Sequence, residues 1–310
     1  MPSEISRIDI ERAAERIDPH VRRTPVADLG DVLGAGWRLI LKMDYMQPTG
    51  SFKVRGAFSL LTARPITPAG VVAASGGNFG LAVAYAASRL GHRATVFVPS
   101  TSPDEKTGRI SAYGADVRKV DGYYPEALEA SRLWAAGSGA LEAHAYDQAE
   151  VVAGQGTCGR EIMDQVPDAA SVLVAVGGGG LIGGIASWIR DEAMVVGVEP
   201  ELCPTLHEAR RAGRPVEVGV GGVAASSLGA ATLGEFPWKA RRWIDDSILV
   251  SDDEILTAQR WLWDMCRVIA EPGACAPIAA LLTGCYAPGK GEQVVAVISG
   301  ANTGPIPSQG

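Results

Sequence analysis

Between Val172 and Ile189 the chain runs for eighteen residues without a charge, and six of them are glycine, four consecutive at Gly177–Gly180. The run is just long enough to span a bilayer. Each glycine, however, costs a helix up to about 1 kcal/mol relative to alanine. The stretch therefore reads as a buried strand, a glycine loop and the start of a helix: Val-Ala-Val-Gly-Gly-Gly-Gly-Leu-Ile-Gly-Gly. Bare residues at a helix N-terminus let consecutive N–H groups wrap one phosphate, with the helix dipole adding partial positive charge. No lysine or arginine lies in the loop, so the backbone would do the neutralising. Tight helix–sheet packing is the competing explanation, but it rarely requires four glycines in a row.

The surrounding sequence alternates between short apolar runs and helical patterns. Strands are predicted at Leu39–Met43, Val71–Ala74, Ala94–Val98, Asp116–Val120, Ser171–Val176, Val195–Val198, Ile248–Val250 and Gln293–Ile298. Helices are predicted at Phe79–Leu90, Asp104–Tyr113, Pro125–Ala136 and Asp252–Arg267, with an opening helix capped by Ser6 and Asp9 and bearing Ile10, Ala13, Ala14 and Ile17. Gly154–Gly156 reads as a turn leading into a helix that ends at Val166. This order implies an α/β fold of two doubly wound, three-layer αβα domains with parallel sheets. A ligand would sit at the carboxyl ends of the strands, in the cleft between the domains. The division is placed at residues 1–59 with 143–310 for the larger domain and 60–142 for the smaller. Residues 305–310 read as a frayed end.

A length of 310 residues supports about two domains. A formal charge of −7 argues against a protein that tracks nucleic-acid phosphates. Residues 1–17 mix acids with arginines and contain no apolar run, unlike a signal peptide. Cys158, Cys203, Cys266, Cys275 and Cys285 show no Cys-x-x-Cys pair, and the four histidines are isolated, so no structural zinc site is expected. Scattered reduced thiols suit a soluble, cytoplasmic protein. The 38 glycines exceed the roughly 22 that an average composition would give. Half of them fall in six short clusters.

Gly178-x-Gly180-x-x-Gly183, followed by Glu199, also matches a dinucleotide fingerprint, which on this segment alone would suggest an NAD-dependent oxidoreductase. The rest of the chain favours another cofactor. Lys53, one of only six lysines, lies in Gln47-Pro-Thr-Gly-Ser-Phe-Lys-Val-Arg-Gly-Ala57 between a turn and an apolar helix start. Partial burial there would lower its pKa and leave a nucleophilic amine. A phosphate cradle and such a lysine together suggest pyridoxal phosphate, bound as a Schiff base. Ala74-Ser-Gly-Gly-Asn-Phe-Gly80 exposes N–H donors suited to a substrate carboxylate, and Asn78 could address a ring hydroxyl. Ser299, after the apolar run ending at Ile298, could meet a pyridine nitrogen.

These segments, with Arg23-Thr24-Pro25, Gln155-Gly156-Thr157 and Glu271-Pro272, closely resemble the threonine/serine dehydratase and serine racemase group of fold-type II pyridoxal phosphate enzymes. The resemblance covers almost the whole chain. It implies an ammonia-lyase that converts a small β-hydroxy amino acid, such as L-threonine or L-serine, to a 2-oxo acid and ammonia. The steps it implies are Schiff-base formation, Cα deprotonation and β-elimination. It assigns catalysis to Lys53 and Ser75. Cofactor contacts fall to Phe52, Lys53, Asn78, Gly177, Gly178, Gly179, Gly180, Leu181, Glu271 and Ser299, and substrate contacts to Ser51, Ser75, Gly76, Gly77, Asn78 and Phe79.

The chain departs from the group in three places. Phe79 replaces a common histidine. Gly76 stands where racemases carry a second serine, which argues against efficient racemisation. Thr205 replaces the aspartate that would join Glu199 in a metal site, which argues against a divalent cation. A racemase or β-replacement enzyme of the same fold is the nearest alternative, and an inactive cofactor-binding paralogue a remoter one. A homodimer is implied. The chain stops soon after Ser299, so the resemblance implies no regulatory domain and no feedback control by isoleucine.

Overall fold

A computed structural model describes residues 4–304; residues 1–3 and the expected frayed end at 305–310 lie outside the described part. Among the described residues, ten strands, numbered in chain order, form two sheets. The larger contains β1 (Val26–Asp28), β2 (Arg38–Lys42), β7 (Ala169–Ala175), β8 (Met194–Pro200), β9 (Asp246–Val250) and β10 (Gln293–Val297), ordered β1-β2-β10-β7-β8-β9. The smaller contains β3 (Val71–Ala74), β4 (Ala94–Pro99), β5 (Asp116–Val120) and β6 (Leu141–Ala143), ordered β5-β4-β3-β6. Its central strand β3 is buried along its whole length, which is why Val-Val-Ala-Ala shows no polar alternation. All pairings are parallel except that β1 runs antiparallel to β2 at the sheet edge. This short edge strand is missing from the sequence reading, which anticipates parallel sheets only. With three residues and no fully buried position, β1 carries little pattern to detect.

Twelve α-helices among the described residues cover the sheets: α1 (Arg7–Ile17), α2 (Lys53–Ala63), α3 (Asn78–Leu90), α4 (Asp104–Ser111), α5 (Tyr124–Ser138), α6 (Ala149–Gln165), α7 (Gly180–Ile189), α8 (Thr205–Ala212), α9 (Ala225–Leu228), α10 (Glu235–Ala240), α11 (Asp252–Cys266) and α12 (Ala276–Thr283). The expected capping box is present on α1, where Ser6 and Asp9 satisfy each other's backbone N–H groups. Among the described residues no helix is long and apolar enough to cross a membrane.

The expected turn at Gly154–Gly156 is instead the interior of α6. The glycines there serve helix crossing. A Cβ on Gly154 would lie 2.6 Å from the carbonyl oxygen of Arg55, and one on Gly156 would lie 2.9 Å from that of Gly184. Conversely, a Cβ on Gly184 would meet Gly156 N and Val152 O at 2.5 Å. Here α6 touches α2 and α7 backbone to backbone, and that contact outweighs the propensity cost of glycine in a helix.

Beneath the start of α2 lies a buried ionic cluster. Arg55, with no exposed surface, donates to Asp44 through Nε at 3.0 Å and Nη2 at 2.6 Å, and to Glu161 at 2.7 and 2.9 Å. Lys42 donates to Glu161 at 2.6 Å, to the Thr24 carbonyl at 2.7 Å and to Gln165 at 2.9 Å. Burial raises the Asp44 carboxyl, but Arg55, together with Lys42 and the Thr24 hydroxyl, outweighs it and leaves Asp44 below its usual range. The cluster joins β2, α2 and α6, and so fixes the helical turn from which Lys53 projects.

Candidate active site

Lys53 is the first residue of α2, half-buried, with Arg55 anchored two positions on. The preceding Phe52 donates its N–H to the Ser299 carbonyl at 2.9 Å, so the helix start is pinned to the chain leaving β10. Lys53 Nζ donates to the Ala145 carbonyl at 2.8 Å. It lies 4.9 Å from the ring centroid of Phe52 and 5.9 Å from that of Phe79. Burial pushes this amine down to about 8, against an opposing attraction from Glu271. Close to neutral pH it therefore holds a far larger uncharged fraction than an ordinary lysine, though most of it is still protonated.

The β3–α3 turn is built for close approach. A Cβ on Gly80 would lie 1.9 Å from the Ser75 carbonyl oxygen, so only glycine allows α3 to leave β3 this tightly. Ser75 Oγ accepts from Gly77 N at 3.3 Å. Asn78, the first residue of α3, donates through Nδ2 to both Glu271 oxygens at 2.8 and 3.0 Å. Its Oδ1 accepts from Asn302 Nδ2 at 2.8 Å, and Asn302 Oδ1 accepts in turn from Arg109 of α4 at 2.7 Å. Burial pushes the Glu271 carboxyl up to about 7, although Asn78 and Lys53 favour the ionised form. Glu271 also crowds Gly300, where a Cβ would lie 2.1 Å from Glu271 Oε1.

The tetraglycine loop joins β7 to α7. Gly179 has φ +86°, a left-handed conformation that favours glycine. A Cβ on Gly178 would lie 2.3–2.5 Å from three ring carbons of Tyr146, and one on Gly177 would lie 2.8 Å from the Leu228 carbonyl oxygen. The Thr205 hydroxyl bonds the Gly177 carbonyl from the other side. Among the described residues the N–H groups of Gly178, Gly179, Gly180 and Leu181 meet no backbone or side-chain acceptor. Close packing and free donors thus coexist in one loop.

A cavity of about 730 Å³ lies between the two sheets' helices and is lined by Lys53, Ser75, Gly76, Gly77, Asn78, Phe79 and Gly178. The remaining residues singled out from sequence do not line it. Ser51, Phe52 and Ser299 lie behind Lys53, where Ser51 bridges Gly300 in antiparallel fashion. Gly177, Gly179, Gly180 and Leu181 sit around Gly178, and Glu271 lies behind Asn78. Phe79 is almost fully buried in the core of the smaller sheet and also lines the cavity. The sequence reading does not single out Tyr146, His144, Leu228 or Asn302. Tyr146 and Leu228 belong to the site only because they fill the space left by glycines distant in the chain. Asn302 stands three residues after Ser299 in sequence, but its bond to Asn78 is tertiary.

Glu199 does not play the part that the dinucleotide fingerprint would give it. Its buried carboxylate accepts from Leu206 N at 2.7 Å, His207 N at 2.8 Å and Ser247 Oγ at 2.7 Å, and lies 3.3 Å from Thr205 Oγ1. It caps α8. With no exposed surface, it has no access to a ribose, which removes the acidic partner that the dinucleotide fingerprint requires.

A family model described as "Pyridoxal-phosphate dependent enzyme" matches residues 17–300. The chain is 36% identical over 310 residues to the L-threonine ammonia-lyase of Geobacter sulfurreducens, covering 94% of this chain and 74% of that protein. Among solved structures it is similar to a T.th. threonine deaminase, with TM-score 0.90, 34% identity and coverage of 97% of this chain and 100% of that one. Maize serine racemase superimposes with TM-score 0.92 at 28% identity, covering 97% and 95%. The residues present fit the cofactor of that family. Free N–H donors at the start of α7 suit a phosphate, and the depressed Lys53 amine in the same cavity suits an aldehyde.

Proposed function

The chain belongs to the pyridoxal-phosphate dependent enzyme family, and from that premise we propose that it is an ammonia-lyase converting a small 3-hydroxy amino acid, such as L-threonine or L-serine, to a 2-oxo acid and ammonia. The observation that carries the reading is the Lys53 amine, pushed down to about 8 and facing a cavity shared with the Ser75–Asn78 turn and Gly178. When bound, the cofactor supplies an aldehyde that takes up an amine and a ring that withdraws electrons from the substrate Cα.

The chain's own residues do the rest. Gly177–Gly180 and Leu181 hold the phosphate through backbone N–H groups. Phe52 and Ser51 shape the wall behind Lys53, and Ser299 offers a hydroxyl to the ring nitrogen. Asn78, held by Glu271, addresses the ring hydroxyl. Ser75, Gly76 and Gly77 hold the substrate carboxylate, with Phe79 closing the wall. Lys53 carries the cofactor and moves the proton at Cα. Once the Cα–H and Cβ–O bonds break and water leaves, the released enamine tautomerises and takes water back, giving the 2-oxo acid and ammonia.

The domain division at residues 1–59 with 143–310 and 60–142 goes with this reading. It is supported by the separation of the strands into two sheets, although position 59/60 falls inside α2. A cytoplasmic location is supported by five cysteines that form no disulfide. A homodimer follows from the family resemblance.

Borohydride reduction of the yellow holoenzyme, followed by peptide mapping, should fix the cofactor on the peptide containing Lys53. A panel of L- and D-3-hydroxy amino acids should yield 2-oxo acid. Inverted enantiomer in its place would make the protein a racemase, and a colourless protein that cannot be reconstituted would sink the reading.

A further inference from the structure

Arg109, Asn302, Asn78 and Glu271 form one hydrogen-bonded chain in which every link runs the same way. Arg109 Nη2 donates to Asn302 Oδ1 at 2.7 Å, Asn302 Nδ2 donates to Asn78 Oδ1 at 2.8 Å, and Asn78 Nδ2 donates to Glu271 at 2.8 and 3.0 Å. The members alternate between the two parts of the fold. Arg109 and Asn78 lie on α4 and α3, which pack with the smaller sheet, whereas Asn302 follows β10 and Glu271 precedes α12 of the larger. All four line one small cavity, which shares Gly76, Gly77 and Asn78 with the cavity that contains Lys53.

An amide fits its space almost equally well with oxygen and nitrogen exchanged, so its partners decide which way it faces. Asn302 has partners that cannot be reversed. Arg109 only donates, and the Thr49 carbonyl, which takes a hydrogen bond from Asn302 Nδ2 at 2.8 Å, only accepts. Gly50 also closes on this side chain, since a Cβ there would lie 2.8 Å from Asn302 Oδ1. Glu271 at the other end sets no such direction. Burial pushes its carboxyl up to about 7, so near neutral pH it occurs both in a form that only accepts and in one that also donates.

We propose that Asn302, itself oriented by Arg109, is a positioning residue that fixes the Asn78 amide so that an N–H, and not the carbonyl oxygen, meets the ring oxygen of the cofactor. This rests on the reading given above, in which Asn78 addresses that oxygen. With Oδ1 committed to Asn302, Asn78 has two hydrogens on Nδ2; Glu271 takes one and a donor remains. A donor at the ring oxygen favours its ionised form, which is yellow. A carbonyl in the same place would favour the protonated form, which absorbs in the near ultraviolet. Neither Asn302 nor Arg109 needs to touch the cofactor for this effect.

The test compares the parent with Asn302→Asp, Arg109→Met and Arg109→Lys. Each apo protein is titrated with pyridoxal phosphate, and the ratio of yellow to near-ultraviolet absorbance is recorded for the loaded form. Asn302→Asp keeps the shape but offers only acceptors, so Asn78 must turn its nitrogen toward position 302 and its oxygen away. Cofactor affinity should fall about tenfold and the absorbance ratio at least about twofold. Arg109 is exposed, so its variants should fold as the parent does, and they decide the question if Asn302→Asp does not fold. Arg109→Met should weaken cofactor binding about threefold, and Arg109→Lys, which still donates, should restore it. An absorbance ratio in Asn302→Asp equal to the parent's, or equal behaviour of Arg109→Met and Arg109→Lys, overturns this inference and leaves the lyase reading standing. A parent protein that takes up no pyridoxal phosphate overturns both.

Discussion

Asn78 and Glu271 lie 193 residues apart and are joined by hydrogen bonds from one amide nitrogen to both carboxylate oxygens, at 2.8 and 3.0 Å. The contact links the helix following β3 of the smaller sheet to the turn before α12, which packs on the larger. A buried carboxylate there is costly, and Glu271 is pushed up to about 7.

The sign of the resulting pH dependence follows from linkage. Between the ordinary carboxylate range and about pH 7 the folded chain keeps the Glu271 proton that the unfolded chain has lost. Glu271 therefore removes stability as pH rises through this window, on the order of 3 kcal/mol in all. The ligand-free protein should lose more melting temperature between pH 5 and pH 8 than Glu271→Gln does. Parallel slopes in thermal melts of the two proteins would contradict this.

Lys53→Ala should lower 2-oxo acid release by about a thousandfold or more, within the range of a lost acid–base group together with a lost attachment point. In the unmodified apo protein, the rate of cofactor capture should climb with pH and level off above about 8, where the amine is uncharged. Stopped-flow absorbance across pH 6–10 reads this directly. A flat profile would mean that the amine is not the capturing group.

Gly178→Ala places a methyl 2.3–2.5 Å from the Tyr146 ring, so the loop or the ring must move. Cofactor affinity should fall at least about tenfold, equivalent to roughly 1.4 kcal/mol. Adding Tyr146→Ala should recover part of the loss, because it removes the obstructing ring. Equilibrium titration of the apo forms with pyridoxal phosphate gives both values.

Glu161→Gln deprives Arg55 and Lys42 of the one carboxylate they share, in a buried setting. Breaking such a cluster typically costs about 3–5 kcal/mol. Urea unfolding should show a lower midpoint with an unchanged slope. A midpoint within error of the parent would mean that the cluster contributes specificity but no net stability.

Much of the fold is legible in local pattern. The apolar runs that become β3, β4 and β7 are buried on both faces or nearly so, and their composition alone marks them. The Gly154–Gly156 segment is opaque for a physical reason. Local propensity counts a glycine against a helix, and nothing near it in sequence shows that Arg55 and Gly184 will press their backbones against it. Glu199 illustrates the same limit. Its position at the end of an apolar strand suits a ribose contact, yet three N–H and O–H donors from α8 and β9 surround it in the fold.

Residue type and short spacing are enough to set the α/β alternation, the glycine loop between β7 and α7, and the few residues able to supply a nucleophile and an anion cradle. Long-range packing alone brings it about that Lys53 is desolvated, that Asn78 faces Glu271, that Tyr146 lies on Gly178, and that Tyr124 and Leu128 line the cavity. Those facts depend on burial and on contacts between segments tens to hundreds of residues apart, which no local window of sequence contains.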